Sequence, residues 1–247
     1  MRISVLFLAS AALFASACNA DKGAANSSGP EVTEAAVPAP NNGDWSTVVT
    51  KTPEGGFVMG NPNAKVKLVE FGSLTCPHCA EFEEKGAQTL VDNYVKKGLV
   101  SWEFRNFVRD PFDMTATLLA RCGGEANFFG MTRTLFHDQR NWIGKIQAAD
   151  QAKLQGLQSM SPAQQFSTIA DLAGLKTFAA QRGVPRAKAD QCLANETETN
   201  QLVQMNSDAI STYSIPGTPS FLINGTLAEQ TATWETLEPK IKEALAS

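Results

Sequence analysis

Histidine is nearly absent: His78 and His137 are the only two among 247 residues. With no second CxxC and no paired histidines, the chain lacks the four ligands that a structural zinc takes. Long apolar runs are missing too. No stretch reaches the ~18 residues of a membrane-spanning helix, which argues against integral insertion. Nor is there an excess of positive charge, since 21 Lys+Arg stand against 25 Asp+Glu, a formal balance of −4. A mildly acidic chain has no electrostatic reason to bind nucleic acid. A Gly-rich phosphate loop and internal repeats are also lacking. No metal and no cofactor is implied. What is present is a globular composition, 43% hydrophobic and 19% charged. The length suits one domain with a large insertion, or two small domains. Five cysteines occur, and their spacing gives them different work.

The first cysteine lies at the end of a leader. Arg2 precedes the apolar stretch Ile3 to Phe14, and Ala15-Ser16-Ala17 supplies small residues before Cys18. Residues 1–17 read as a secretory signal peptide, which places the protein where disulfides persist. Cys18 after Ala-Ser-Ala resembles a bacterial lipobox, with Ala15 where Leu is usual. It is expected to carry a lipid anchor; the alternative is ordinary cleavage after Ala17 or Ala20. Residues 18–44 are rich in Ala, Asn, Pro and Gly and hold no aromatic residue. Such a segment buries too little apolar surface to offset its ordering entropy, and it reads as a flexible tether.

The second and third cysteines form a CxxC. Lys65 to Phe71 reads as a strand and Ala80-Glu81-Phe82-Glu83-Glu84 as the start of a helix, with Cys76-Pro77-His78-Cys79 between them. A helix N-terminus presents unpaired N–H groups and partial positive charge, so it favours a thiolate at Cys76. Pro77 fits the first turn, where a missing N–H costs nothing. His78 is expected to add positive character near the sulfur, and Cys79 is in reach to close a ring. Half of a zinc site and a purely structural disulfide are the competing readings. Glu70 shares strand parity with Val66 and Leu68, so it points inward, where burial raises a carboxyl pKa. Further on, Ser220 to Ile223 reads as a strand ending in an Asn224-Gly225 turn, and Pro219 opens it.

These motifs, Leu68-Val69-Glu70-Phe71 with CPHC and Gly217-Thr218-Pro219, resemble the DsbA-type thiol:disulfide oxidoreductases. The resemblance runs from about Trp45 to the C-terminus. It implies an α/β, thioredoxin-like fold with a large inserted α-helical domain. It implies that Pro219 is cis beside the CxxC, that Thr218 offers its backbone to an extended substrate, and that Glu70 exchanges a proton with Cys79. The best-known oxidases carry Val in place of Thr218, and Thr occurs in the isomerase branch. The implied partners are unfolded exported polypeptides and a DsbB-type, quinone-linked membrane reoxidant.

Cys122 and Cys192 sit at helical positions 70 residues apart, and in an oxidising compartment they are expected to pair. A second redox pair and two unpaired thiols are the alternatives. Val100 to Val108 reads as a strand. Phe112 to about Ser211 reads as nearly all helix, with Ala126 to Trp142 as one helix presenting Phe128, Phe129, Met131, Leu135 and Trp142 to the core. Strand character returns near Ser214, and Thr233 to Ala246 closes the chain as an amphipathic helix. The parts are thus 45–110 and 206–247 for the thioredoxin-like domain and 111–205 for the insertion. The expected activity is donation of the Cys76–Cys79 disulfide to exported proteins in the periplasm. Isomerase or reductase action on the same fold, or a non-enzymatic lipoprotein chaperone or adaptor, are the other possibilities.

Overall fold

The computed structural model describes residues 35–40 and 43–247. The signal peptide over 1–17, the lipid site Cys18 and most of the tether lie outside the described residues. Among those described, no helix is long and apolar enough to cross a membrane. The Val37 amide donates to Lys97 O at 2.8 Å, and the Trp45 indole donates to Val37 O at 2.8 Å. The folded body therefore begins inside the stretch read as tether.

Six strands make one sheet: β1 Val49–Lys51, β2 Phe57–Met59, β3 Val66–Gly72, β4 Val100–Asn106, β5 Ser220–Ile223 and β6 Thr226–Leu227. Their order is β1-β2-β4-β3-β5-β6. β3 and β4 run parallel, with Val66 opposite Val100 and Gly72 opposite Asn106; the other pairs are antiparallel. β3 is buried on both faces, as a parallel strand covered by helices must be. β1 and β2 are three residues each, too short for alternation to show in sequence. β4 stops two residues before Val108. Residues 212–219 are irregular, so the strand expected near Ser214 begins only at Ser220.

Helices occupy most of residues 111–211. Asp110 caps the Pro111–Arg121 helix by accepting from the Phe112 and Asp113 amides. The single helix expected over Ala126 to Trp142 is in fact two, Glu125–His137 and Gln139–Gln147, parted at Asp138 with φ −94° and ψ 7°. No Pro or Gly breaks it. Side-chain contacts do: the Trp142 indole donates to Leu135 O, and Gln139 is drawn into the interior. The five core residues assigned to it are nevertheless all buried. Phe128 stacks on Phe57 at 4.0 Å and Phe129 meets Trp102 at 5.2 Å, which ties the insertion to the sheet. The closing helix is Trp234–Ala246, with Trp234, Leu237, Ile241 and Leu245 inward.

Cys122 and Cys192 are joined by a disulfide with Cα atoms 5.8 Å apart and a sequence separation of 70. The pairing is as expected, and the reading as free thiols is overturned. The bridge joins the end of the Pro111–Arg121 helix to the Arg186–Leu193 helix. Closing such a loop limits the unfolded chain by roughly 4 kcal/mol on a chain-entropy basis. The double variant Cys122→Ala/Cys192→Ala should lose stability of about that size in denaturant unfolding, with the reactivity of Cys76 unchanged.

Candidate active site

β3 delivers the chain to a short turn, Ser73 to Thr75, and Cys76 then caps the Pro77–Phe82 helix with extended backbone, φ −82° and ψ 121°. Pro77 occupies the first helical turn, as its fixed φ and missing donor suit. Cys76 and Cys79 are both free thiols, 2% and 0% exposed. Cys76 is therefore nearly covered, while Pro77 and His78 beside it are open to solvent. The Thr218–Pro219 peptide bond is cis, and the Cys76 thiol donates to Thr218 O at 3.1 Å. The structure thus brings the two distant motifs into contact.

The two cysteines are driven apart in acidity. The Cys76 pKa is lowered to about 5, chiefly because the Cys79 thiol donates to its sulfur. Burial works against this, and the Thr218 side chain with the backbone N–H groups of Cys79 and His78 adds to it. The Thr218 hydroxyl is buried with no conventional hydrogen-bond partner, so the ionised sulfur of Cys76 is what its proton can serve. Cys79 goes the other way: burial first, then the hydrogen bond it gives to Cys76, raise its pKa well above the ordinary value. A thiolate at Cys76 and a thiol at Cys79 form the favoured reduced state.

Glu70 is 1% exposed, as expected, though both faces of β3 are buried so parity alone did not decide it, and it accepts from the Trp102 indole at 3.1 Å. Burial and the nearby charge of Glu83 push its pKa well up. Its charge also counts among the causes that raise Cys79. Glu83 was legible only as a helix former. It lies four residues after Cys79, one turn along the same helix face, and is buried at 8% exposure. Burial raises its pKa, and the Arg133 guanidinium, 2.9 Å away, pulls the opposite way. His78 differs from expectation. Its ring is 73% exposed, with Nδ1 3.7 Å from Glu81 Oε2. What His78 contributes to the sulfur is its backbone N–H.

Two cavities flank the cysteine. One, of about 590 Å³, is lined by Pro77 and His78 together with Phe136, His137, Gln139 and Arg140 of the insertion. The other, of about 510 Å³, follows the Pro216 to Ser220 loop and reaches Leu227 and Ala228. Among the described residues no cluster of His, Cys, Asp or Glu could hold a metal ion.

Comparison with known proteins agrees with this geometry. The family model described as Thioredoxin matches residues 52–243. The crystal structure of a protein-disulfide isomerase from Novosphingobium aromaticivorans is 38% identical, with a TM-score of 0.73, over 77% of this chain and 97% of that one. Wolbachia pipientis alpha-DsbA1 shares the fold, with a TM-score of 0.62 at 20% identity, over 85% of this chain and 94% of that one. A Rickettsia bellii protein, named provisionally as a protein-disulfide oxidoreductase, is 29% identical over 182 residues, 74% of this chain. The aligned part spans 62% of that relative's length.

Alkylation of the reduced protein should follow a titration with its midpoint about 5, at Cys76 alone. Thr218→Val removes the buried hydroxyl and should raise that midpoint, as read from thiolate absorbance against pH. Glu70 has a sign of its own. Its folded pKa lies above the ordinary 4.5, so the stability it contributes is complete below that value and is lost as pH rises toward the folded pKa. Glu70→Gln should therefore unfold at higher denaturant than the natural protein at pH 8, with the difference vanishing near pH 4.

Proposed function

Since the chain belongs to the thioredoxin family, and within it to the DsbA type, we propose that it is a thiol:disulfide oxidoreductase that oxidises cysteine pairs of exported polypeptides. The observation that carries this is the split in acidity between Cys76 and Cys79. In the oxidised protein, a substrate thiolate attacks Cys76 Sγ. The Cys76–Cys79 bond breaks, and Cys79 leaves with the bonding electrons. Its high pKa lets it take a proton; in this reading the carboxyl of Glu70, whose pKa is also raised, supplies it. The second substrate thiolate then attacks the substrate sulfur of the mixed disulfide. Cys76 departs as a thiolate, a good leaving group because its pKa is low. Two electrons have passed from substrate to enzyme; the substrate's two protons went to solvent when its thiolates formed, and the proton that Glu70 gave to Cys79 is replaced from solvent. Stabilising the reduced thiolate is what makes the disulfide form oxidising.

The substrate strand lies against the backbone of Thr218, in this proposal, beside the Pro216 to Ser220 cavity. Reoxidation is by a DsbB-type membrane partner linked to quinone. The site of action is the periplasm, reached through the signal peptide over residues 1–17, with Cys18 as lipid attachment and the residues between it and the folded body as spacer. The second reading is isomerase action. It is favoured by Thr218 and by the name of the Novosphingobium aromaticivorans relative.

Cys76→Ser should abolish oxidation of a reduced model dithiol peptide, and Cys79→Ala should accumulate mixed disulfides trapped at Cys76. Full activity in Cys76→Ser would instead support a non-enzymatic adaptor. A redox titration separates the rest. An oxidising midpoint supports the oxidase, a strongly reducing one supports a reductase, and efficient rescue of scrambled ribonuclease supports the isomerase.

A further inference from the structure

The turn that carries Cys76 is held from outside the thioredoxin core. Asp113, in the first turn of the Pro111–Arg121 helix, is 0% exposed. Its Oδ2 accepts from Ser73 Oγ at 2.6 Å and from the Arg109 amide at 3.0 Å, and its Oδ1 accepts from the Leu74 amide at 2.9 Å. Gln139, 5% exposed, uses its amide nitrogen to donate to Leu74 O and to Cys76 O, each at 2.9 Å. Leu74, itself 0% exposed, is thus gripped at both its N–H and its C=O. Two side chains from two different helices meet on the four residues Ser73 to Cys76.

Both arrangements run against local preference. A wholly buried carboxylate without an ion-pair partner is expensive; burial pushes the Asp113 pKa up to about 7, with the neighbouring Asp110 charge adding and the Ser73, Arg109 and Leu74 donors opposing. Gln139 stands where the sequence pattern calls for continuous helix, and the helix breaks beside it. Departures from local rules that converge on one place mark a constrained site. Here the constraint is on Cys76. The hydrogen bonds that stabilise its thiolate come first from the Cys79 thiol, then from Thr218 and from the N–H groups of Cys79 and His78. All of them depend on where the turn sets the sulfur.

We propose that Asp113 and Gln139 are positioning residues: they clamp the Ser73–Cys76 turn from the helical insertion and so set the reactivity of a nucleophile that belongs to the thioredoxin core. The proposal rests on the assignment of Cys76 as nucleophile, yet its test needs no turnover. Asp113→Asn, Gln139→Leu, Ser73→Ala and the control Leu118→Ala, a core residue of the same helix as Asp113, are reduced. Each is then titrated by thiolate absorbance and unfolded thermally. Asp113→Asn and Gln139→Leu should raise the Cys76 midpoint by about one pH unit, a tenfold change in ionisation. Leu118→Ala should lower the Tm at least as far and leave the midpoint in place. A loss of Tm in the two clamp variants with an unmoved Cys76 titration overturns the proposal, as does an equal movement in Leu118→Ala. Should Asp113→Asn fail to fold, Ser73→Ala removes a single donor and must move the midpoint the same way; an unmoved midpoint there overturns the Asp113 arm. Failure of the oxidoreductase reading would show separately, as undiminished activity in Cys76→Ser.

Discussion

One hydrogen-bonded sulfur organises this molecule. A negative charge is to be held at Cys76, a nearly buried residue beside a second buried cysteine. Desolvation opposes it. It is supported only because several donors converge: the Cys79 thiol, the hydroxyl of Thr218 and two backbone amides at a helix start. Each donor is delivered by a different part of the chain. The end of β3, the first turn of the helix and the loop before β5 must all arrive together, and the antiparallel pairing of β3 with β5 is what registers Glu70 opposite Phe221 and brings the Thr218 loop to the cysteine.

Much of this was legible in the sequence because it rests on short-range chemistry. CPHC between a strand and a helix states its own geometry, and the apolar run of β3, buried on both faces, is what keeps the Glu70 carboxyl inside. Pro219 was readable only through family resemblance, since nothing local distinguishes a cis from a trans proline at a strand start. Other features resisted for physical reasons. Glu83 looks like any helix-forming acid until the Arg133 helix covers it. His78 looks electropositive in sequence, but whether a ring faces a sulfur or the solvent is decided by the helix direction and by Glu81. The break at Asp138 has no residue signature, because it goes with side-chain contacts: the Trp142 indole to Leu135 O, and Gln139 to a turn more than sixty residues away.

The insertion is accordingly more than a cover. Its aromatic residues pack on β2 and β4 through the Phe57–Phe128 and Trp102–Phe129 contacts, and its polar residues reach the turn before the nucleophile. The apolar contacts secure the two parts to each other, and the polar ones transmit that fixed relation to the reacting atom. Gln139 also lies in sequence between the two cysteines of the Cys122–Cys192 bridge, which secures the fold of the insertion that carries it.

The small exposure of Cys76 has a bearing on survival as well as on reaction. A sulfur that is mostly ionised at neutral pH is the form that peroxides attack, and successive oxygen additions beyond the sulfenic acid destroy it for exchange chemistry. At 2% exposure, small diffusing oxidants meet a nearly closed surface. Near-complete burial of Cys76 therefore restricts the directions from which an oxidant can reach the sulfur.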